Sequence, residues 1–375
     1  MFRALAPVTA IGVGLLAVTL ASQGCSSSSS GTTSGGSGGG LEPPAAPAGA
    51  APAALGTPRT FALQGLFLGG TDRTGAPSDG AWKKYGYDLD KKTTTSKSTD
   101  VCSLADGAPK SAQTDGDQGI DNSFGETILP IVTSVSATAE TDINKSLTDG
   151  SFTVMLDIQG LTDDPAQTNT NLSGQIFAGA TYSADKTAPG FDLTTDWPVR
   201  PELLADGKTV EGGSKVKFDP ATTYIVKGQF VTQASAIKLS LAVGGQALEL
   251  DILNAVITFN HTDPHSAATG TIAGIINTQQ LVDAIHGVAG RLQKSLCEGS
   301  AFDQIATELK QASDIVSAGA NNAGVPCDGI SIGLGFTAKE IKHPTKVAPA
   351  TVAGEDPCKA QPDAGSTTDA GSTDQ

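Results

Sequence analysis

The chain is short of the residues and motifs that most catalytic and binding proteins use. Aromatic residues fill 5% of its 375 positions, with 12 Phe, 4 Tyr and 2 Trp. The core must therefore be built mostly from Leu, Ile, Val and Ala. Charged residues reach only 17%, and 39 acidic side chains outnumber 24 basic ones, giving a net charge of -15. Without a basic patch there is nothing to release counter-ions from phosphates, which argues against nucleic acid as a partner. The same deficit argues against attraction to anionic lipid and leaves divalent cations as the partner an acidic surface admits.

Motifs are missing as well. There is no HExxH, no phosphate loop, no dinucleotide fingerprint and no CxxC pair. The only GxSxG-like string, Gly35-Gly36-Ser37-Gly38-Gly39, sits in low-complexity sequence with no strand before it and no helix after it, so it is not a nucleophile elbow. These absences weigh against an enzyme. They do not exclude a hydrolase with a carboxylate pair, which leaves no fixed spacing in sequence.

What the chain has in excess is Gly and Pro, 45 and 20 residues, which push it toward loops, tight turns and flexible ends. Residues 1–24 carry Arg3 and then an apolar stretch through Leu15, Leu16, Val18 and Leu20, the layout of a secretory signal rather than of a stable span. Gly24-Cys25 at its end resembles the lipobox of bacterial lipoproteins, in which the cysteine is acylated and becomes the mature N-terminus. Ser22 and Gln23 depart from that pattern, and an ordinary signal peptide is the alternative. Residues 25–58 are then expected to be the lipidated cysteine and a disordered Ser/Gly/Pro-rich tether. Residues 346–375 read as a linker and an acidic tail in which DAGST repeats.

Four cysteines remain: Cys102, Cys297, Cys327 and Cys358. An even number behind a secretory signal implies two disulfides. Of three pairings, the expected one joins Cys297 to Cys327 across a helical segment and Cys102 to Cys358 across the domain.

Between the tails, residues 59–345 are dominated by period-2 alternation. In SFTVMLDIQG, Phe152, Val154, Leu156 and Ile158 share one face. Ile237 to Val243 and Leu248 to Ile252 alternate on either side of Gly244-Gly245, which predicts a hairpin with a two-residue turn. Further strands are expected over 61–68, 172–182, 224–231, 255–260, 269–276 and 330–336. The last carries a Ser/Gly face that invites another backbone to pack closely, or leaves a flat surface beneath a ligand. Helical spacing marks 279–293 and 301–318, and more weakly the stretch from Phe124. Strands next to strands predict a mainly β domain, β-sandwich-like, with two or three helices at one edge and two disulfides.

Two clusters carry candidate chemistry. In TDGDQGIDNSFGE, Asp115, Asp117, Asp121 and Glu126 fall at positions 1, 3, 7 and 12 of an EF-hand-like loop, a pattern of hard oxygen ligands suited to Ca²⁺. Gly119 and Ile120 at positions 5 and 6 break the pattern, and an Asp/Gly turn capping a helix is the alternative. In AWKKYGYDLDKK, Trp82, Tyr85 and Tyr87 lie beside Asp88 and Asp90, rings to stack on sugar faces and carboxylates to accept sugar hydroxyls. The alternative is that Tyr85 and Tyr87 are core anchors. His261, Asp263 and His265 could hold Zn²⁺ or form a solvated turn, while His343 reads as a solvated residue of a basic patch.

The strings YGYDLDKK, DGDQGIDNSFG, SLCEGSAFDQIATELKQASDI and PCDGISIGLGF together resemble a group of uncharacterised lipoproteins of Gram-negative soil bacteria. The resemblance implies an exported, disulfide-bonded protein anchored by lipid to the outer membrane or cell surface, and no particular activity. The expected function is a non-catalytic module that binds carbohydrate or another envelope protein. Secretion without an anchor, a polysaccharide hydrolase, and a spacer without small ligand are the alternatives.

Overall fold

In the computed structural model the described residues are 40–243, 246–292, 296–297, 300–350 and 358. The signal segment, Cys25 and the tail beyond residue 358 lie outside them. The domain is mainly β, 30% strand against 22% helix, as its alternating segments require.

Among the described residues, nine strands form one antiparallel sheet: β1 (Arg59–Phe67), β2 (Thr153–Gln159), β3 (Asn169–Thr170), β4 (Ser173–Gly179), β5 (Tyr224–Val226), β6 (Gln229–Val243), β7 (Gln246–Asn260), β8 (Ser266–Asn277) and β9 (Gly329–Ile341). Their order is β3-β5-β6-β7-β8-β9-β1-β2-β4. The two end strands are consecutive pieces of one segment, kinked at Asn171, where φ is 58°. The sheet therefore curls until its ends meet, and main-chain bonds from Leu172 to Thr223, Phe218 to Gly174 and Ile176 to Val216 continue the seam. The two facing layers of the expected sandwich are two halves of this single sheet.

Ring contacts across the interior follow from the curl. Phe61 on β1 lies 5.9 Å from Phe259 on β7, with two strands between them in the sheet, and Phe259 stacks on Phe230 at 4.7 Å. Phe218 and Phe336 complete the cluster. With β3 and β4 counted as the one segment they share, eight strands close around an interior narrow enough for side chains to fill, and these aromatics, with Leu156, Leu172 and Ile272, fill it.

Most expected strands form where the alternation placed them. Ile237 pairs with Ile252 and Val243 with Gln246, the register of a two-residue connection; its glycines lie outside the described residues. The run 224–231 is not one strand. Lys227 and Gly228 both take positive φ and make a tight turn between β5 and β6.

Four α-helices among the described residues pack on the sheet and on one another: α1 (Leu129–Val135), α2 (Ala139–Thr148), α3 (Thr278–Leu292) and α4 (Ser300–Gln311). Ile143 and Leu147 of α2 are buried against the core. The helix expected to run to residue 318 stops at Gln311. There the Asp314 carboxylate accepts from the Ser331 backbone and hydroxyl, and Ile315 pairs with Gly329 instead.

Two expectations are corrected. The disulfides are Cys102–Cys327 and Cys297–Cys358. Backbone pairing decides the first: Ser103 donates to Val325 and Cys327 to Ser103, which places the two cysteines 5.2 Å apart at Cα. The second clips the C-terminal arm to the link between α3 and α4. Residues 40–55, expected in the free tether, lie on the domain: Leu41 donates to Gln118, Ala53 to Thr170, and Gly40 to the Asp88 carboxylate. Two disulfides fit an oxidising compartment. No helix among the described residues is long and apolar enough to cross a membrane.

Candidate functional site

The Ser/Gly face of β9 explains where the aromatic stretch goes. A Cβ on Gly333 would overlap the Tyr85 carbonyl, and one on Gly335 would lie 3.0 Å from the Tyr85 ring. The segment 82–87 lies flat on this face and is pinned by Asn122. That side chain donates to the carbonyls of Trp82, Tyr85 and Gly333 and accepts from the Gly333 and Gly125 amides. Close backbone packing, one of the two expectations for this face, is what the geometry delivers.

Tyr85 and Tyr87 are consequently buried and do not form an exposed platform. The Tyr85 hydroxyl donates to the Thr71 carbonyl, and the Arg73 guanidinium sits 5.0 Å above its ring. Burial pushes its phenol up to about 12. The Tyr87 hydroxyl meets that of Thr258 on β7 at 2.7 Å, and burial raises this phenol too. Trp82 is half-buried, with the Lys83 ammonium over its ring.

The acidic residues regroup. Asp88, Asp90 and Asp121 each bring a carboxylate oxygen to within 4.8 Å of the others. Asp121 accepts from the amides of Leu89 and Asp90, Asp88 from those of Gly40 and Lys92, and Asp90 from Lys92 and the Asn321 amide. Burial, with Asp90 and then Asp115 nearby, raises the Asp121 carboxyl well above the carboxylate range. Burial also raises Asp88, and it lifts Asp115 to about 6 against the donors of Thr94.

The EF-hand-like set does not assemble. Asp117 is exposed, and Asp115 is held by Thr94. A π-type turn over Phe124–Ile128 carries Glu126 to a separate groove beside Glu308, where burial lifts its carboxyl to about 7. The carboxylates that the fold does bring together are Asp88, Asp90 and Asp121, a set of oxygen donors that joins the two sequence clusters. Asn321, which braces Asp90, carries no sequence signal. The histidines do not converge either. His261 is buried against Phe61 and Phe259 with its Nδ1 unpartnered among the described residues, and His265 pairs with Glu340 at 2.7 Å.

Beside the carboxylates opens a cleft of about 750 Å³. Its floor is Gln233 and Ala234 of β6, Asn254 and Val256 of β7 and Ile275 of β8. Its walls are Tyr87 to Leu89, Lys91, Lys217, Tyr224 and the segment with Glu42, Pro43 and Ala45. Asn254 and Lys91 both take positive φ, at 48° and 63°. The β7–β8 register shifts beside Asn254, the kind of bulge that re-aims a side chain next to a site. The Tyr224 hydroxyl donates to the Pro44 carbonyl at 2.5 Å and so holds the N-terminal segment as a wall. Gln233 and Asn254 stand exposed on the floor.

No family model, no curated protein and no solved structure matches the chain.

Proposed function

We propose that the chain is an exported, lipid-anchored cell-envelope protein whose β-domain is a non-catalytic module for carbohydrate. The cleft carries this reading. It sets the half-buried ring of Tyr224 beside exposed amide, ammonium and carboxylate groups, the mixture of stacking and hydrogen-bonding surface that sugar rings and hydroxyls require. One of its walls is the segment leading back toward Cys25, so the cleft and the anchor share one stretch of chain. The two disulfides support an oxidising location.

A polysaccharide pull-down with the oxidised protein tests the binding. The double variant Tyr224→Leu, Gln233→Ala should lose about tenfold in affinity for any captured glycan, the scale of a lost ring contact and a hydrogen bond. Capture that is undiminished in the variant would place binding elsewhere, and no capture would remove the carbohydrate reading. Cys25→Ala tests the anchor separately: it should move the protein from the membrane fraction to the soluble one.

A further inference from the structure

The one histidine of the basic patch near the end of β9 is not simply solvated. His343 Nδ1 lies 3.0 Å from Oδ1 of Asp157, a β2 carboxylate that is 2% exposed. Thr60 of β1 donates to the same oxygen at 2.7 Å, and the Gln175 amide of β4 donates to Oδ2 at 3.0 Å. The Phe177 ring and the imidazole meet edge to face, with centroids 6.4 Å apart. The buried carboxylate is thus fixed from the two strands that flank β2, and it fixes the first residues of the arm that leaves the sheet.

Beyond His343 the arm lies on the outside of the domain. The Thr345 amide and hydroxyl donate to Asp196, Val199 donates to the Lys346 carbonyl, and Ala348 donates back to Val199. Val347 packs on the cluster of Trp197, Val199 and Phe177. At its far end Cys358 is bonded to Cys297.

We propose that residues 342–348 form a proton-operated latch, held on the sheet by protonated His343 against Asp157 and loosened when that proton leaves. The charged groups that face His343 are Asp157 from β2 and, from the loops beside it, Asp196 and Glu211; Lys342 and Lys346 on the arm itself pair with Asp196 at 3.2 and 3.8 Å. The hydrogen bond to Asp157 is the largest effect. It outweighs burial, and with the three negative charges it raises the imidazole above its ordinary value. A raised native value means that the contribution is complete below the unfolded value near 6.5 and is lost as pH rises through the native one. Deprotonation leaves Asp157 with its Thr60 and Gln175 donors and leaves the lysine pairs in place. The response is therefore confined to the arm and does not unfold the sheet.

Hydrogen exchange on the full, oxidised chain at pH 6 and pH 8.5, corrected for intrinsic rates, reads this out. Amides of Thr345 and Ala348 should lose about fivefold in protection at the higher pH, the worth of one partly exposed ion pair, while amides of β1 and β2 do not. His343→Gln, at a half-exposed site, should abolish the difference. Equal protection at both pH values in the parent chain would overturn the latch. So would an undiminished pH response in the variant, or a loss shared equally by β1 and β2.

Discussion

At the scale of the residue, Asp121 concentrates the electrostatic tension of the candidate site. Its carboxylate is 4% exposed, and two backbone amides are its hydrogen-bond donors. Burial and the neighbouring Asp90, Asp115 and Asp314 favour the neutral form. With a native value above the unfolded one, the folded chain holds extra protons above about pH 4, so stability falls as pH rises toward the native value. Asp115 at about 6 and Asp314 at about 7 act in the same direction. Asp121→Asn keeps an acceptor for the Leu89 amide and removes the charge. It should raise stability at pH 8 by about 1 kcal/mol or more, and by less at pH 5, as urea titrations at the two values would report. A loss at pH 8 would mean that the carboxylate has a cationic partner. The acidity of this region was legible in the sequence, but its grouping was not: an EF-hand spacing presumes one continuous loop, whereas the Gly40, Tyr87, Asp121 and Asn321 segments meet only through long-range packing.

At the scale of the element, β9 shows how far alternation can be trusted. Ile330, Ile332, Leu334 and Phe336 face the core as their period requires, and the opposite Ser/Gly face predicted the close approach of another backbone. Which backbone was not legible, since Tyr85 lies about 250 residues earlier in the chain. Gly333→Ala would drive a methyl group into the Tyr85 carbonyl and part the Asn122 bridge. It should cost about 3 kcal/mol, the upper range of overpacking. Gly287 in α3 is the opposite case, with open space where its Cβ would stand. Gly287→Ala should gain about 0.5–1 kcal/mol from helix propensity. Chemical denaturation of the two variants separates them by sign; equal effects would mean that the segment 82–87 does not rest on β9. The early end of α4 escaped a reading by helical period because Asp314 and Ile315 find better partners in β9 than in another turn of helix.

At the scale of the whole molecule, closure of the sheet and the cross-links divide the labour. The strands and their alternation were legible, but a sequence shows neither which strands neighbour one another nor that Asn169–Gly179 serves as both ends of the sheet. The spacing of the cysteines misled for the same reason: proximity in sequence suggested Cys297–Cys327, while the pairing of Ser103 with Val325 and Cys327 decided for Cys102. Loop entropy alone separates the two bonds little. Sequence separations of 225 and 61 residues differ in closure cost by about 1 kcal/mol. Their places in the fold differ more. Cys102–Cys327 ties the loops around Asp90, Asn321 and Asp314 together beside the carboxylate cluster, through the Cys102 amide donating to Asn321, whereas Cys297–Cys358 clips only the arm. Replacing Cys102 and Cys327 together by Ser should therefore lower stability by up to about 5 kcal/mol and open the segment 88–121 to protease while the sheet core stays protected. The Cys297, Cys358 double Ser variant should leave that segment as resistant as in the parent chain. Limited proteolysis followed by mass spectrometry decides it, and cleavage at the same sites in both variants would show that the loop block is held by the sheet and not by its disulfide.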